Sequence, residues 1–350
     1  MSLSTAIRDR DVAELPGKRD EAWRWTDLRG LIRILPPPSE PFTGDVGAGP
    51  FDALADDRRV IVNGRGAEPV AIAAGSKSAV VVRFVSRGSG AHLARLDISV
   101  GAGAKLQLLE SYESDGGSLA QAVLTITLAR GASVERVVLA QDSADAVSVS
   151  QARVTLAAHA EYSQTIAASG ARRQRLETQV QHPGGHATVR LDGLYLLADK
   201  RHSDHTTVVT HAGTDGTTAQ LTKGVVRDQA RGVFQGRIVV AEGADRTDAR
   251  MGHHALILSD RAEVDAKPEL EIYADDVACA HGATVGALDE DALFYARQRG
   301  MPVDVATALL TEAFIGEVVD RIEHEGARDL VRAWAAERLA RDGVAKSEKV

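Results

Sequence analysis

The chain has 350 residues, of which 44% are hydrophobic, so it can bury one large core or two ordinary ones. The formal net charge is -8, and no block of consecutive Lys or Arg is present, which argues against nucleic acid and anionic membranes as partners. No apolar run approaches the roughly 20 residues that span a bilayer. The first residues also lack the apolar stretch of a signal peptide, and we therefore expect a cytoplasmic protein.

Residues 1–50 are predicted to form an N-terminal helical region followed by a linker. In "RDEAWRWTDLRGLIRIL", the spacing of Trp25, Leu28 and Ile32 predicts a short amphipathic helix. The Pro- and Gly-rich stretch "PPPSEPFTGDVGAGP" then ends regular structure and marks the first boundary.

Residues 51–286 contain many short alternating runs that are rich in Val, Ile, Leu and Thr, which predicts strands. Three of these segments align when the chain is shifted by 28 residues. The matched positions are Ile98/Ile126/Val154, Val100/Leu128/Leu156, Leu106/Val134/Tyr162 and Ala104/Ala132/Ala160. A fixed period with matched apolar positions is typical of a solenoid, in which like residues of successive coils stack.

A β-sandwich with evenly spaced hairpins would show a similar pattern. The aromatic content of 4% fits narrow stacked coils better. The pattern alone therefore favours a mainly β solenoid core, between short helical N-terminal and C-terminal regions, over the β-sandwich.

Residues 287–350 are predicted to form a C-terminal helical domain. Apolar residues recur four apart in one helix, and a second helix after Gly326 carries another apolar side. This unit either caps the solenoid or presents a docking surface. The residues expected to contact a partner are Leu310, Phe314, Val318, Ile322 and Trp334.

Histidines supply the first candidates for metal ligands. In "HSDHTTVVTH", an extended chain places His205 and His211 on one face and His202 on the other, so three convergent ligands are not expected on a straight strand. His253 and His254 are adjacent and face opposite ways. No phosphate-binding loop, nucleophile elbow or H-E-x-x-H motif is present, so nothing argues for an enzyme in its own right.

The stretch "DDVACAHGATVG" contains the single cysteine of the chain, Cys279, two positions before His281. On a strand both side chains leave the same face. One thiolate and one imidazole do not complete a tetrahedral metal site, and one cysteine cannot hold an iron–sulfur cluster, which usually takes about four thiolates. Any cluster at these residues must be shared with another chain.

The run "KPELEIYADDVACAHGATVGALDEDALFYARQRGM" resembles the SufB/SufD family of the SUF iron–sulfur cluster assembly machinery, and its SufD members in particular. The segments "FQGRIVVAEGADRTDARMGHHALILSDRAEVDAKPELEI", "HSDHTTVVTHAGTDGTTAQLTKGVV" and "KRDEAWRWTDL" are also similar to that family.

This resemblance implies a right-handed parallel β-helix that pairs with SufB through the β-helix ends and docks the ATPase SufC through its C-terminal helices. A transient cluster would form at the SufB interface, where His281 matches the family's histidine ligand and Cys279 a less essential cysteine. A homodimer of the isolated chain and a flavin in the complex stay open. The alternatives are a SufB-like paralogue, a carbohydrate-active β-helix enzyme and a purely structural solenoid.

Overall fold

The computed structural model describes residues 2–344, and the side chains of residues 2–340. The predicted C-terminal domain extends to residue 350, and its last six residues lie outside this description. None of the helices in the described part is long and apolar enough to cross a membrane.

The N-terminal region contains two short helices, α1 (Leu3–Asp9) and α2 (Leu28–Leu31), and two 3-10 turns, Val12–Glu14 and Glu21–Trp23. The predicted helix around Trp25 is therefore reduced to one turn. Its start is displaced because the Asp27 side chain accepts a hydrogen bond from Gly30 N and caps the helix there. The preceding residue, Thr26, is buried and donates a hydrogen bond to Asp204 on the sheet below.

In the described part of the chain, seventeen strands form two sheets, and every paired neighbour within them is parallel. The first sheet holds the odd-numbered strands, which are β1 (Asp57–Val62), β3 (Lys77–Ser86), β5 (Lys105–Ser114), β7 (Ser133–Gln141), β9 (Glu161–Ala168), β11 (Thr188–Leu197), β13 (Thr217–Val226), β15 (Thr247–Ile257) and β17 (Val277–Gly286). The second sheet holds the even-numbered strands, which are β2 (Val70–Ile72), β4 (Ala91–Val100), β6 (Leu119–Leu128), β8 (Val147–Leu156), β10 (Arg173–His182), β12 (His202–His211), β14 (Arg231–Val240) and β16 (Glu263–Ile272).

Because consecutive strands alternate between the sheets, each coil adds one strand to each sheet, and the result is a β-solenoid of about eight turns. The predicted repeat is confirmed in the register. Ile98 pairs with Ile126 and Ile126 with Val154 in the second sheet. The matched apolar residues point inward and form the core between the two sheets.

Helices cover the outer face of each sheet. The N-terminal region packs on the second sheet around Leu3, Leu15 and Leu28. After β17 the chain forms α3 (Glu290–Gln298), α4 (Val303–Val319) and α5 (Glu325–Val344). Helices α4 and α5 pack against the first sheet, in a cluster that includes Val81, Leu109, Val137, Leu194 and Val225 of the strands.

This packing determines which helical residues are accessible. Val318, Ile322 and Trp334 are buried against the sheet, while Leu310 and Phe314 are half-buried. Val318, Ile322 and Trp334 therefore anchor the helices on the solenoid and are not exposed for partner contact. Sequence periodicity identified the apolar side of α4 correctly, but much of that side packs against the first sheet.

Candidate functional site

The last coil of the solenoid has no further strand stacked on it within residues 2–344. Strand β16 pairs only with β14, and β17 pairs only with β15, so each leaves one edge free. Apolar side chains are exposed here at Ile272, Tyr273 and Val285. Free edges beside exposed apolar groups favour pairing with another chain. We refer to β16 and β17 together as the open end.

Cys279 and His281 both lie on β17. Cys279 pairs with Ala249 and His281 with Met251, and these two partners point into the solenoid core. Both β17 side chains therefore share one face, as the sequence predicted, and the structure shows that this is the interior side of the last coil. They are separated by roughly 7 Å along the strand. Cys279 is half-buried and His281 is exposed, because no later coil covers them.

The surroundings of Cys279 disfavour a free thiolate. Burial raises the pKa of the Cys279 thiol, and the nearby Asp248 adds to this effect, while a backbone hydrogen bond involving Ala249 opposes it. A thiol with a raised pKa is a poor nucleophile at neutral pH and becomes a ligand only when a metal displaces its proton. His281 offers an imidazole nitrogen, which is a common metal ligand.

The open end does not hold a complete metal site in this chain alone. Within residues 2–344, no group of three or more His, Cys, Asp or Glu side chains could hold a metal ion. Cys279 and His281 supply two donors, and closed structural or catalytic sites usually need three or four protein ligands.

The other predicted histidines are not brought together at one point. His205 and His211 point into the solenoid, whereas His202 points outward and donates a hydrogen bond from Nε2 to the Trp25 carbonyl oxygen at 3.0 Å. His205 contacts Tyr195, and His211 contacts His182 in another part of the interior. The alternation expected for a strand is confirmed.

His253 and His254 likewise face opposite ways. His253 is fully buried and its Nε2 lies 2.9 Å from the Tyr195 hydroxyl. His254 faces outward, with Nδ1 2.7 Å from the Thr284 hydroxyl on β17. Its position beside β17 makes His254 a useful control for His281, since the two imidazoles lie on opposite faces of neighbouring strands.

Sequence reasoning missed a charged pair inside the solenoid. Arg136 and Glu110 form two hydrogen bonds of 2.8 Å, and both side chains are essentially inaccessible to solvent. Gln164 accepts further bonds from Arg136 and from Tyr162. The sequence did contain a signal for this pair. In "AKLQLLE", Glu110 follows Leu106 and Leu108 at two-residue intervals, so a strand places all three side chains on the same inward face.

A second accessible surface lies on the C-terminal helices. Phe294 and Tyr295 of α3 and Val303, Val305 and Leu309 of α4 are exposed. Helix α4 contains acidic residues and no Lys or Arg. A groove of about 430 Å³ between α4 and α5 adjoins this surface and is lined in part by Leu309 and Ala313. We refer to these five exposed apolar residues as the helical patch.

The solenoid and its open end define a class of protein, a parallel β-solenoid whose last coil carries Cys279 and His281 beside strand edges that no described strand pairs with. Residues 83–314 match the family described as "SUF system FeS cluster assembly, SufBD core domain". The chain belongs to this SufBD family of iron–sulfur cluster assembly proteins.

Individual relatives point in the same direction. The chain is 39% identical over 165 residues to "Iron-sulfur cluster assembly protein SufD" of Escherichia coli, an alignment that covers 47% of this chain and 39% of the relative. It is 37% identical over 153 residues to a SufBD family protein of Synechocystis, covering 44% and 34%. It is 35% identical over 181 residues to SufD of Bacillus subtilis, covering 48% and 41%. The aligned part thus spans about two fifths or less of each relative.

Proposed function

We propose that this protein is a SufD-like, non-catalytic scaffold subunit of a cytoplasmic SUF complex for iron–sulfur cluster assembly. The observation that carries the proposal is the open end, where Cys279 and His281 lie on the last coil and no described coil covers them. Relatives with the same core domain are named as assembly proteins, which supports this role.

The open end supports pairing with a SufB-type partner. The last coil leaves two parallel strand edges unpaired and exposes Ile272, Tyr273 and Val285. A partner solenoid that stacks its own end here would satisfy the edges and bury these side chains. The same contact would bring the partner's donor atoms next to His281.

A nascent cluster at this interface would be cargo shared by the two subunits. His281 is the favoured ligand, because its imidazole is exposed at the open end. Cys279 is the weaker candidate because its thiol pKa is raised. The remaining ligands would come from the partner, since residues 2–344 contain no group of three or more side chains that could hold a metal ion.

The helical patch is the proposed docking surface for the ATPase SufC. The sequence contains no phosphate-binding loop, so ATP hydrolysis would be a property of that partner. Exposed apolar residues next to the acidic Asp304 and Glu312 favour a partner surface that is apolar with a basic rim. This assignment replaces Val318, Ile322 and Trp334, which are buried.

The cluster-site proposal is tested by co-expressing the chain with SufB and SufC and measuring iron and acid-labile sulfide in the purified complex. We expect His281→Ala to lower both contents at least several-fold while the three proteins still co-purify, because the strand backbone is unchanged. Cys279→Ala should stay within about two-fold of the parent, because its neutral thiol is the weaker ligand. His254→Ala is the matched control and should match the parent.

Two outcomes would contradict this role. If His281→Ala keeps the full iron and sulfide content, His281 is not a ligand. If the variant loses the cluster only because SufB no longer co-purifies, the residue belongs to the contact and not to the metal site.

The docking proposal is tested with Leu309→Asp, which places a charge in the helical patch. Leu309 is exposed, so the free energy of unfolding should change by no more than about 0.5 kcal/mol, whereas affinity for SufC should fall at least about ten-fold. Ile34→Asp is the control, since Ile34 is an exposed apolar residue in the N-terminal region. Equal SufC binding by both variants would place the docking surface elsewhere.

A further inference from the structure

The two free edges of the open end differ in their side chains. Residues 263–272 of β16 contain four carboxylates and one lysine, whereas residues 277–286 of β17 contain no Asp, Glu, Lys or Arg. The charged side chains of β16 lie on its outer face, where Asp265 pairs with Arg231 of β14 at 2.7 Å. Charged residues on an edge strand are one device by which proteins prevent the addition of a further strand.

A proline interrupts the same edge of β16. Glu263 N donates a hydrogen bond to the Ala230 carbonyl at 3.0 Å, and Tyr273 N donates to the Val240 carbonyl at 2.9 Å. Because the bonding direction alternates from residue to residue along a strand, the odd-numbered amides from 263 to 273 face β14. The even-numbered positions face the free edge, and Pro268 is one of them. Proline has no N–H group, so the row of donors on this edge is broken near its centre.

The free edge of β17 has no such interruption. On β15, Asp248 N and Leu258 N donate hydrogen bonds towards β13, to the carbonyls of Gly216 and Val226. The odd-numbered amides of β15 therefore face β17, and in this register the even-numbered amides of β17 face β15. The amide and carbonyl groups of the odd-numbered residues of β17 consequently face the free edge in an unbroken row, which consists of Val277, Cys279, His281, Ala283 and Val285.

This row determines what can bind there. Its groups are backbone donors and acceptors, so they match the backbone of one more extended strand. β17 is ten residues long, as are most strands of both sheets, so a terminal strand of another solenoid would fit along its whole length. An uncharged strand is the better match, since β17 offers no charge to pair with. Val285, which is 45% exposed, would be covered by the same contact.

We propose that the partner adds its terminal strand to the edge of β17, and that Pro268 and the carboxylates protect β16 from strand addition. This inference rests on the partner contact proposed above for the open end and narrows it to one edge. The first sheet would continue into the partner, while the second sheet would end at β16. The added strand would lie about 4.8 Å from β17, directly beside Cys279 and His281. A second copy of this chain is the competing occupant.

Proline substitutions test which edge is used. Ala283→Pro replaces an outward N–H of β17 with a ring carbon, so affinity of the purified full-length chain for SufB should fall at least ten-fold. Ala266→Pro makes the same change on the free edge of β16, and its affinity should stay within about two-fold of the parent. Neither substitution removes a hydrogen bond to the neighbouring coil. Pro268 shows that the last coil accommodates proline at such a position.

Hydrogen exchange of the unmodified chain gives a measurement that does not depend on the folding of a variant. When SufB binds, amide exchange within residues 277–286 should slow at least ten-fold, because the outward amides gain carbonyl partners. Exchange within residues 263–272 should change by less than about two-fold. Analytical ultracentrifugation separates the competing occupant. A dimer of the chain that persists when SufB is added, and that Ala283→Pro dissociates, would assign the β17 edge to a second copy instead.

Three results would overturn the inference while SufB still binds. If Ala266→Pro weakens binding and Ala283→Pro does not, the partner adds to β16. If both variants weaken binding equally, β16 is not protected. If SufB binds the parent and both variants equally and exchange is unchanged in both strands, the contact involves no strand addition. Failure of the unmodified chain to bind SufB would instead refute the proposed function, and this inference with it.

Discussion

Arg136 is the residue whose loss should affect the stability of the solenoid most directly. Its guanidinium makes two 2.8 Å bonds to the Glu110 carboxylate inside the core, where the Arg136 side chain is 1% exposed and that of Glu110 is 0% exposed. Burial alone would lower the pKa of Arg136, but the attraction of Glu110 outweighs it and raises the pKa. The two charges therefore depend on each other.

Arg136→Met removes one charge and leaves Glu110 buried without its partner. We expect a loss of about 3–5 kcal/mol in the free energy of unfolding, the range for breaking a buried pair. Combining Arg136→Met with Glu110→Leu removes both charges at similar volume, and this double variant should recover most of that loss. The size of the recovery measures the coupling between the two residues.

The assay is urea unfolding followed by circular dichroism for the parent, both single variants and the double variant. Arg250→Met is the control, because Arg250 pairs with Asp248 on the surface and its side chain is 74% exposed. That pair should contribute no more than about 1 kcal/mol. A loss of under 1 kcal/mol in Arg136→Met, or a double variant less stable than both single variants, would refute the reasoning.

The remaining predictions concern pH and the C-terminal helices. Burial lowers the pKa of His182, His202 and His205 to about 4 and that of His211 and His253 to about 3. Because these folded-state pKa values lie below the ordinary 6.5, the stability they contribute is present above pH 6.5 and is lost as pH falls, by roughly 2 kcal/mol per buried imidazole at pH 5. Urea unfolding at pH 7.5 and pH 5 should show this loss of unfolding free energy. The variant His205→Asn should lose less between the two pH values, by roughly the 2 kcal/mol expected for one imidazole. Equal stability of the parent at the two pH values would contradict the prediction. Deleting residues from Asp289 onward would uncover Val81, Leu109 and Val137 on the first sheet. We therefore expect the truncated chain to aggregate or to bind a hydrophobic dye. A monomeric truncated chain that binds no dye would show that α4 and α5 are not needed to cover that sheet.

Residue spacing in the sequence was enough to predict the stacked strands of this protein and the faces on which several histidines lie. The recurrence of Ile98, Ile126 and Val154 predicted a stacked ladder, since a solenoid places like residues at the same point of each coil. Strand alternation predicted that His205 and His211 share a face without His202, and that Cys279 and His281 share another. These inferences succeeded because they depend only on residue spacing within one strand or one period.

Tertiary structure decided the features that depend on contacts between distant segments. The wide apolar side of α4 is compatible with a cap or with a docking surface, and only its packing on the first sheet shows that Val318 is buried while Leu309 is exposed. The predicted helix around Trp25 begins only after Asp27 caps it, and Thr26, just before the cap, bonds to Asp204, which lies far along the chain. Residues Glu110 and Arg136 come from successive first-sheet strands, and their charges meet only when these strands pair. Likewise, His182 and His211 become neighbours only when two coils stack, since spacing along the chain does not state which residues pair between coils.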